Sequence, residues 1–330
     1  SNRTWCAPAP PRWARTPRAS PMQRAWTRTP CLPASRRCSS SGLAAVKKPD
    51  AAMNRLASSG MIRIGFSASM LDGNLTQRAM ALAEAGVHVM VEKPIAHSTE
   101  AGTRLVRAFD EAGLVGAVGH IERFNPALQE MRRRIQAGEL GRVLQITTVR
   151  QGGFPARIAD VGVVKDLGTH DIDLTAWLAD SPFTRVAAET MTNSGREHED
   201  MVVASGRLEC GVITSHVVNW LSPVKIRQTV VTGELGAFVA DTVHADLTFQ
   251  ANGSVRTRWD AVSAFRGVSE GDVTRLAIEK PEPLHTEHEA FRDAILGVRQ
   301  EHVSMAEGLD TLRVAEAMIA SARTGERVAL

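Results

Sequence analysis

The sequence predicts an α/β chain: a parallel-sheet part with an aberrant front end, followed by an α+β part with an open, mostly antiparallel sheet. Three observations predict it. Helical and strand periods alternate between residues 74 and 125, as they do when helices cross over between parallel strands. After Gly141 strand follows strand, with a single helical segment between them. Two helices then close the chain. The segments are therefore 1–73, aberrant; 74–125, the remaining parallel-sheet domain; and 126–330, the α+β domain.

Leu75, Ala79 and Leu82 recur at helical spacing, and Gly86 stands where a C-cap glycine ends such a run. Val87, Val89 and Val91 alternate as a short strand that ends at Glu92-Lys93-Pro94. Ser98 is placed to cap a helix carrying Leu105, Phe109 and Ala112, with Gly113 closing it. Leu114 to Val118 reads as the next strand and ends at Gly119-His120. In a parallel sheet ligands bind beyond the carboxyl ends of the strands. The loops after Glu92 and after His120 both fall there.

Leu128, Met131 and Ile135 mark a helix that stops near Gly138, with Arg132, Arg133 and Arg134 as a solvated face. Val143 to Val149, Val186 to Met191, Met201 to Leu208, Val212 to Val218 and Ile226 to Val231 read as strands. One helix interrupts them at about 165–180. The closing helices fall near 286–297 and 304–323. Thr286 with Glu289, and Ser304 with Glu307, have the spacing of capping boxes. His285 and His288 lack metal-ligand spacing, so no metal site is expected.

Composition divides the chain. Residues 1–49 hold ten Lys and Arg and no acid, whereas residues 50–330 carry a net charge of −7, so the overall +3 describes neither part. Residues 1–50 also hold eight Pro, eight Arg, six Ser and three of the six Trp, without helical or strand period. An Arg-rich arm for nucleic acid, a transit peptide and an out-of-frame stretch all have this composition. The density of Pro weighs against the first two, so the segment is expected to be disordered or out of frame. Cys6, Cys31 and Cys38 belong to it, and only Cys210 to the rest, which suits a reducing cytoplasm. No apolar run reaches the roughly 18 residues of a membrane span. Neither nucleic acid nor membrane is expected as a partner.

The densest polar cluster is Asp166-Leu167-Gly168-Thr169-His170-Asp171-Ile172-Asp173. On a helix Asp166 and His170 share a face, Asp173 lies near it and Asp171 points elsewhere. A carboxylate beside an imidazole raises its pKa, which suits a general base near neutral pH; a solvated Asp–His pair is the plain alternative. Lys93, after a strand and before a proline, is a second candidate. Tyrosine is absent, so no phenol can carry a proton.

Together, Ala85-Gly86-Val87-His88-Val89-Met90-Val91-Glu92-Lys93-Pro94, Gly119 to Pro126, Lys165 to Leu174 and Val303 to Leu309 resemble the Gfo/Idh/MocA family, the glucose–fructose oxidoreductase and inositol dehydrogenase group. The likeness runs over residues 74–330. It implies a Rossmann domain binding NAD or NADP, an open-sheet domain whose exposed face makes a homodimer or homotetramer, and hydride transfer at a sugar, cyclitol or nucleotide-sugar hydroxyl. It implies Lys93, Asp166 and His170 as catalytic residues and a cis Lys93-Pro94 bond. Glu92, Lys93, Pro94, His120 and Arg123 would meet the cofactor; Asn125, Arg157 and Asp173 would meet the substrate. The Gly152 to Ile158 loop looks most like members acting on nucleotide-linked amino sugars.

The family's opening strand and Gly-X-Gly-X-X-Gly turn, which seats a pyrophosphate at a helix N-terminus, has no counterpart in residues 1–73. Met61 to Gly65 has the look of a first strand, but Phe66-Ser67-Ala68-Ser69 lacks the glycines. An NAD-using glycoside hydrolase and a cofactor-free pseudoenzyme are the competing expectations.

Overall fold

The computed structural model describes residues 64–67, 74–155, 161–253 and 269–330. The expectations for residues 1–63 and 68–73, and the substrate role of Arg157, lie outside the described residues.

Three parallel strands open the described fold. β1 (Ile64–Ser67), β2 (His88–Glu92) and β3 (Gly116–Gly119) lie side by side in chain order, joined by α1 (Asn74–Glu84) and α2 (Thr99–Glu111). Ile64 pairs with His88, and Val89 with Gly116. This is one half of a doubly wound sheet. β1 therefore sits directly beside β2, one helix away, rather than leading a longer series.

β2 is buried on both faces, which explains its nearly continuous apolar run. Val89 and Val91 join Ala79, Ala83, Leu105 and Phe109 of α1 and α2. Met90 turns the other way, to Ala117 and to Phe291 of α5 (Pro283–Ile295). The Ser98 side chain caps α2, as its position predicted. Gly113 follows α2 at φ 63°, a conformation that disfavours any side chain.

A short 3₁₀ turn (Ile121–Phe124) and α3 (Pro126–Gln136) lead into a nine-stranded sheet. Its strands are β4 (Val143–Gly153), β5 (Phe183–Met191), β6 (Met201–Leu208), β7 (Ile213–Asn219), β8 (Leu221–Gly233), β9 (Gly236–Asp241), β10 (Asp246–Gly253), β11 (Ser269–Leu276) and β12 (Val328–Ala329). Among the described residues the order is β11-β10-β9-β8-β4-β7-β6-β5-β12, and only the central β4–β7 pair is parallel. Strands β9 to β11 were not expected from the sequence. Ile146, Thr148 and Arg150 of β4 face inward with Thr214, His216 and Val218 of β7. Leu144, Val203 and Ile213 are exposed.

The inner face is covered by α4 (Thr169–Ala179) and α6 (Met305–Thr324), which bring Ile172, Leu174, Ala315 and Met318 onto Ile146, Val186 and Val202. α6 also serves the parallel sheet. Its Met305 and Leu312 enter that core, and a Cβ on Gly308 would fall 2.5 Å from the Val118 side chain. Only glycine permits so close an approach. The Ser304–Glu307 capping box forms at its start. The expected Thr286–Glu289 box does not. Pro283 starts α5 three residues earlier with Glu282 as N-cap, and the Thr286 hydroxyl bonds back to the Glu282 carbonyl.

Candidate active site

The carboxyl ends of β2 and β3 and the start of α4 converge on one place. Lys93 follows β2, and its bond to Pro94 is cis, as the resemblance implied. The Lys93 Nζ donates to Asp166 Oδ1 at 2.9 Å and also to the Asp166 backbone carbonyl. Burial lowers the Lys93 pKa; the Asp166 carboxylate opposes that shift.

Asp166 lies in a single π-helical turn (Val164–Gly168) ahead of α4. Such a turn widens the helix and shifts the faces that a regular spacing would align. The expected Asp166–His170 pair is therefore corrected: Asp166 serves Lys93. The expected rise of the His170 pKa is corrected with it. Burial, then the charges of Lys93 and Arg150, then His120 and Arg227, hold His170 well below 6.5. His170 is a neutral imidazole.

His120, at the end of β3, is enclosed at 1% exposure, and neither ring nitrogen has a hydrogen-bond partner among the described residues. Its ring stands edge-on to that of His170, with centroids 6.2 Å apart. Burial drives its pKa to about 4, against the pull of Asp173 3.8 Å away. His170 Nδ1 is likewise buried without a partner. Two neutral imidazoles thus stand together beside a lysine whose ammonium is destabilised.

Two buried arginines hold this pair. Arg123 forks onto Asp173 at 2.6 and 2.8 Å and reaches Glu307 of α6 at 2.7 Å. Arg150 of β4 donates to Asp171 at 2.8 Å and to Glu122 at 2.9 Å, and Arg227 of β8 adds a second bond to Glu122 at 2.9 Å. Burial by itself would raise Glu122, but Arg150 and Arg227 hold it at about 2. Burial pushes Asp171 up even with Arg150 attached.

The remaining expected residues divide. Glu92 and Pro94 flank Lys93 on the strand end. Arg123 and Asp173 are paired with each other through a two-bond fork. Asn125 caps α3 through Ala127 N–H and donates to the Thr242 carbonyl. Sequence reasoning missed Glu122, Arg150, Asp171, Arg227 and Glu307. Asp171 had a signal: a charged residue between two apolar-facing turns of a helix otherwise buried almost throughout. Arg150 had none, since it sits in an ordinary strand pattern.

Two family models match the chain. Residues 38–120 match the oxidoreductase family with an NAD-binding Rossmann fold, and residues 128–239 match the GFO/IDH/MocA C-terminal domain. The chain belongs to the Gfo/Idh/MocA oxidoreductase family. Among Gfo/Idh/MocA relatives, inositol 2-dehydrogenase 2 of Saccharopolyspora erythraea is 36% identical over 124 residues, 37% of each chain. UDP-N-acetylglucosamine 3-dehydrogenase of Acidithiobacillus ferrooxidans is 41% identical over 95 residues, 29% of each. These matches thus span about a third of each relative's length. The 1,5-anhydro-D-fructose reductase of Ensifer adhaerens is 27% identical over 76% of this chain and 74% of its own. Among solved structures, the WlbA dehydrogenase of Bordetella pertussis, in complex with NADH and UDP-GlcNAcA, aligns with TM-score 0.64 and 26% identity over 84% of this chain and 82% of that one. The Acidithiobacillus enzyme GnnA has the same fold, with TM-score 0.69 and 24% identity over 80% of each chain.

Proposed function

We propose that this chain is an NAD(P)-dependent oxidoreductase that moves a hydride between nicotinamide and a sugar, cyclitol or nucleotide-sugar hydroxyl. One observation carries the reading. Buried, unpartnered imidazole nitrogens of His120 and His170 stand with Lys93 at the carboxyl ends of parallel strands, where that fold binds ligands. Buried polar atoms without partners mark a place for a ligand. These residues fit the nicotinamide end of a dinucleotide.

When bound, the nicotinamide accepts or returns the hydride. The chain's own groups manage the proton. Neutral His170 would take it from the oxygen of the substrate hydroxyl as hydride leaves the carbon bearing that hydroxyl, and would return it in the reverse direction. The Lys93 ammonium, held by Asp166, hydrogen-bonds the reacting oxygen and stabilises negative charge on it. The enclosure that destabilises both charged forms also excludes water. Among the described residues no three His, Cys, Asp or Glu side chains could hold a metal ion.

The experiment is reduction of NAD⁺ and NADP⁺ followed by absorbance, with myo-inositol, scyllo-inositol and UDP-N-acetylglucosamine as substrates. Reduced nicotinamide formed with one of them, and lost in His170→Ala, supports the reading; no reduction with any of them sinks it. A second reading, a cofactor-free protein, has the missing glycine turn of residues 1–73 behind it. NADH fluorescence that does not change on titration would favour it. Residues 1–73 are read as a replaced first half of the dinucleotide domain, of which residues 38–73 still fall within the Rossmann match; sequencing the coding DNA there tests a shift of frame. The exposed sheet face bearing Leu144, Val203 and Ile213 is read as the surface of a homodimer or homotetramer, which light scattering would detect. The cytoplasm is the compartment this reading implies.

A further inference from the structure

We propose that Arg150 is a positioning residue of this site: through Asp171 and Glu122 it fixes the two histidine-bearing segments against each other. The proposal rests on His170 being the proton carrier.

The geometry carries it. Arg150 is 3% exposed in the central strand of the large sheet. Its Nε bonds Asp171, the residue after His170, and its Nη1 bonds Glu122, two residues after His120. One planar guanidinium thus ties the start of α4 and the turn after β3 to the central strand of the sheet. A fork of fixed geometry sets the spacing of its two acceptors in a way that a lysine does not. The distance so fixed is the 6.2 Å between the rings.

The charge acts in the same direction. The groups that face His170 are Lys93 at the end of β2, His120 at the end of β3, Arg150 on β4 and Arg227 on β8. All are cationic or able to become so. Arg150 is the second of these in effect on His170 after Lys93, and it lowers Lys93 as well. A nearby positive charge disfavours protonation of an imidazole. His170 therefore meets its substrate as an acceptor.

The test is imidazole NMR on the full chain without substrate, following the titration of His170 and His120. Arg150→Gln removes the charge and should raise the His170 midpoint. Arg150→Lys keeps the charge but not the fork. It should leave the midpoint low while altering the chemical shifts of both rings, because their spacing is released. Should Arg150→Gln not fold, Arg150→Met with Asp171→Asn removes one buried pair as a neutral unit, leaves Glu122 with Arg227, and should still raise the midpoint. A folded variant lacking the Arg150 charge whose His170 midpoint is unchanged overturns the electrostatic role. Unaltered ring shifts in Arg150→Lys overturn the positioning role. Substrate plays no part, so a failed hydride-transfer assay and a failed titration are separate results.

Discussion

Lys93 and Asp166 hold each other: the ammonium lies 2.9 Å from the carboxylate and takes the carbonyl of the same residue as a second acceptor. The aspartate is thereby a partner of the lysine and not of His170. Burial lowers Lys93, and Asp166 is the largest influence raising it. Asp166→Asn should therefore lower the Lys93 pKa further. The alkaline limb of the kcat profile that belongs to Lys93 should move to lower pH, and kcat should fall by about 10²-fold or more. An alkaline limb left in place would remove Asp166 from this role.

Stability should fall as pH drops from about 6.5 to about 4. His120 and His216 are both held near 4 by burial, and His170 well below its ordinary value. Their folded pKa values lie below the unfolded ones. In that window the unfolded chain therefore binds more protons, and the folded state loses ground as pH decreases. A shift of that size corresponds to about 3 kcal/mol for each fully buried ring once pH is below both values. Glu122 contributes in a lower window, because its carboxylate stays ionised to about 2. Denaturant melts at pH 7, 6, 5 and 4 check this, and a flat profile would contradict it. His216→Gln should flatten part of the slope without touching the site, since His216 bonds Thr148 beneath the sheet.

The elements from Asn74 to β8 and the two closing helices were readable because their signals are local. Gly86, Ser98 and Gly113 punctuate α1, β2 and α2 through backbone geometry and capping, which depend on near neighbours only. The same holds for Ser304 and Glu307. Lys93 and His170 could be found because each stands at the end of an element. What escaped the sequence depends on distant partners. Arg150 meets Glu122 and Asp171 across 28 and 21 residues, and no period within β4 marks it. The π turn at Val164–Gly168 also escaped, and with it the partner of Asp166, because it lies at the very start of the helix, with no regular turn before it whose period it could break. The cap that Asn125 makes was not read from the sequence, although a position before Pro126 is that of a helix cap.

Asn125 offers a clean test of that cap. Its oxygen caps α3 and its amide reaches the Thr242 carbonyl. Asn125→Ala should cost about 1 kcal/mol, or about 2–4 °C in Tm for a unit of this size. KM for any substrate should stay within about twofold, whereas loss of a bond to a buried substrate group would cost about tenfold or more. Asn125→Asp and Asn125→Ser keep a capping oxygen and should recover most of the stability. A KM increase at unchanged Tm would return Asn125 to the substrate.

Arg123 should be among the most costly single residues to remove. It joins the turn after β3, α4 and α6 through Asp173 and Glu307, and it lies over the Trp177 ring at 5.9 Å. Asp173 is 1% exposed, so Arg123→Met leaves a buried carboxylate without its fork. Breaking such a pair from one side costs about 3–5 kcal/mol. Asp173→Asn alone should cost a comparable amount for the same reason. Arg123→Met with Asp173→Asn should recover a large part of either loss, because no charge is then stranded. The coupling in a double-mutant cycle by urea unfolding measures this directly. Additive losses would mean that the pair is not a unit. His120 supplies a second readout in the same proteins: Arg123 lowers its pKa and Asp173 raises it, so the two single variants should move its titration in opposite directions.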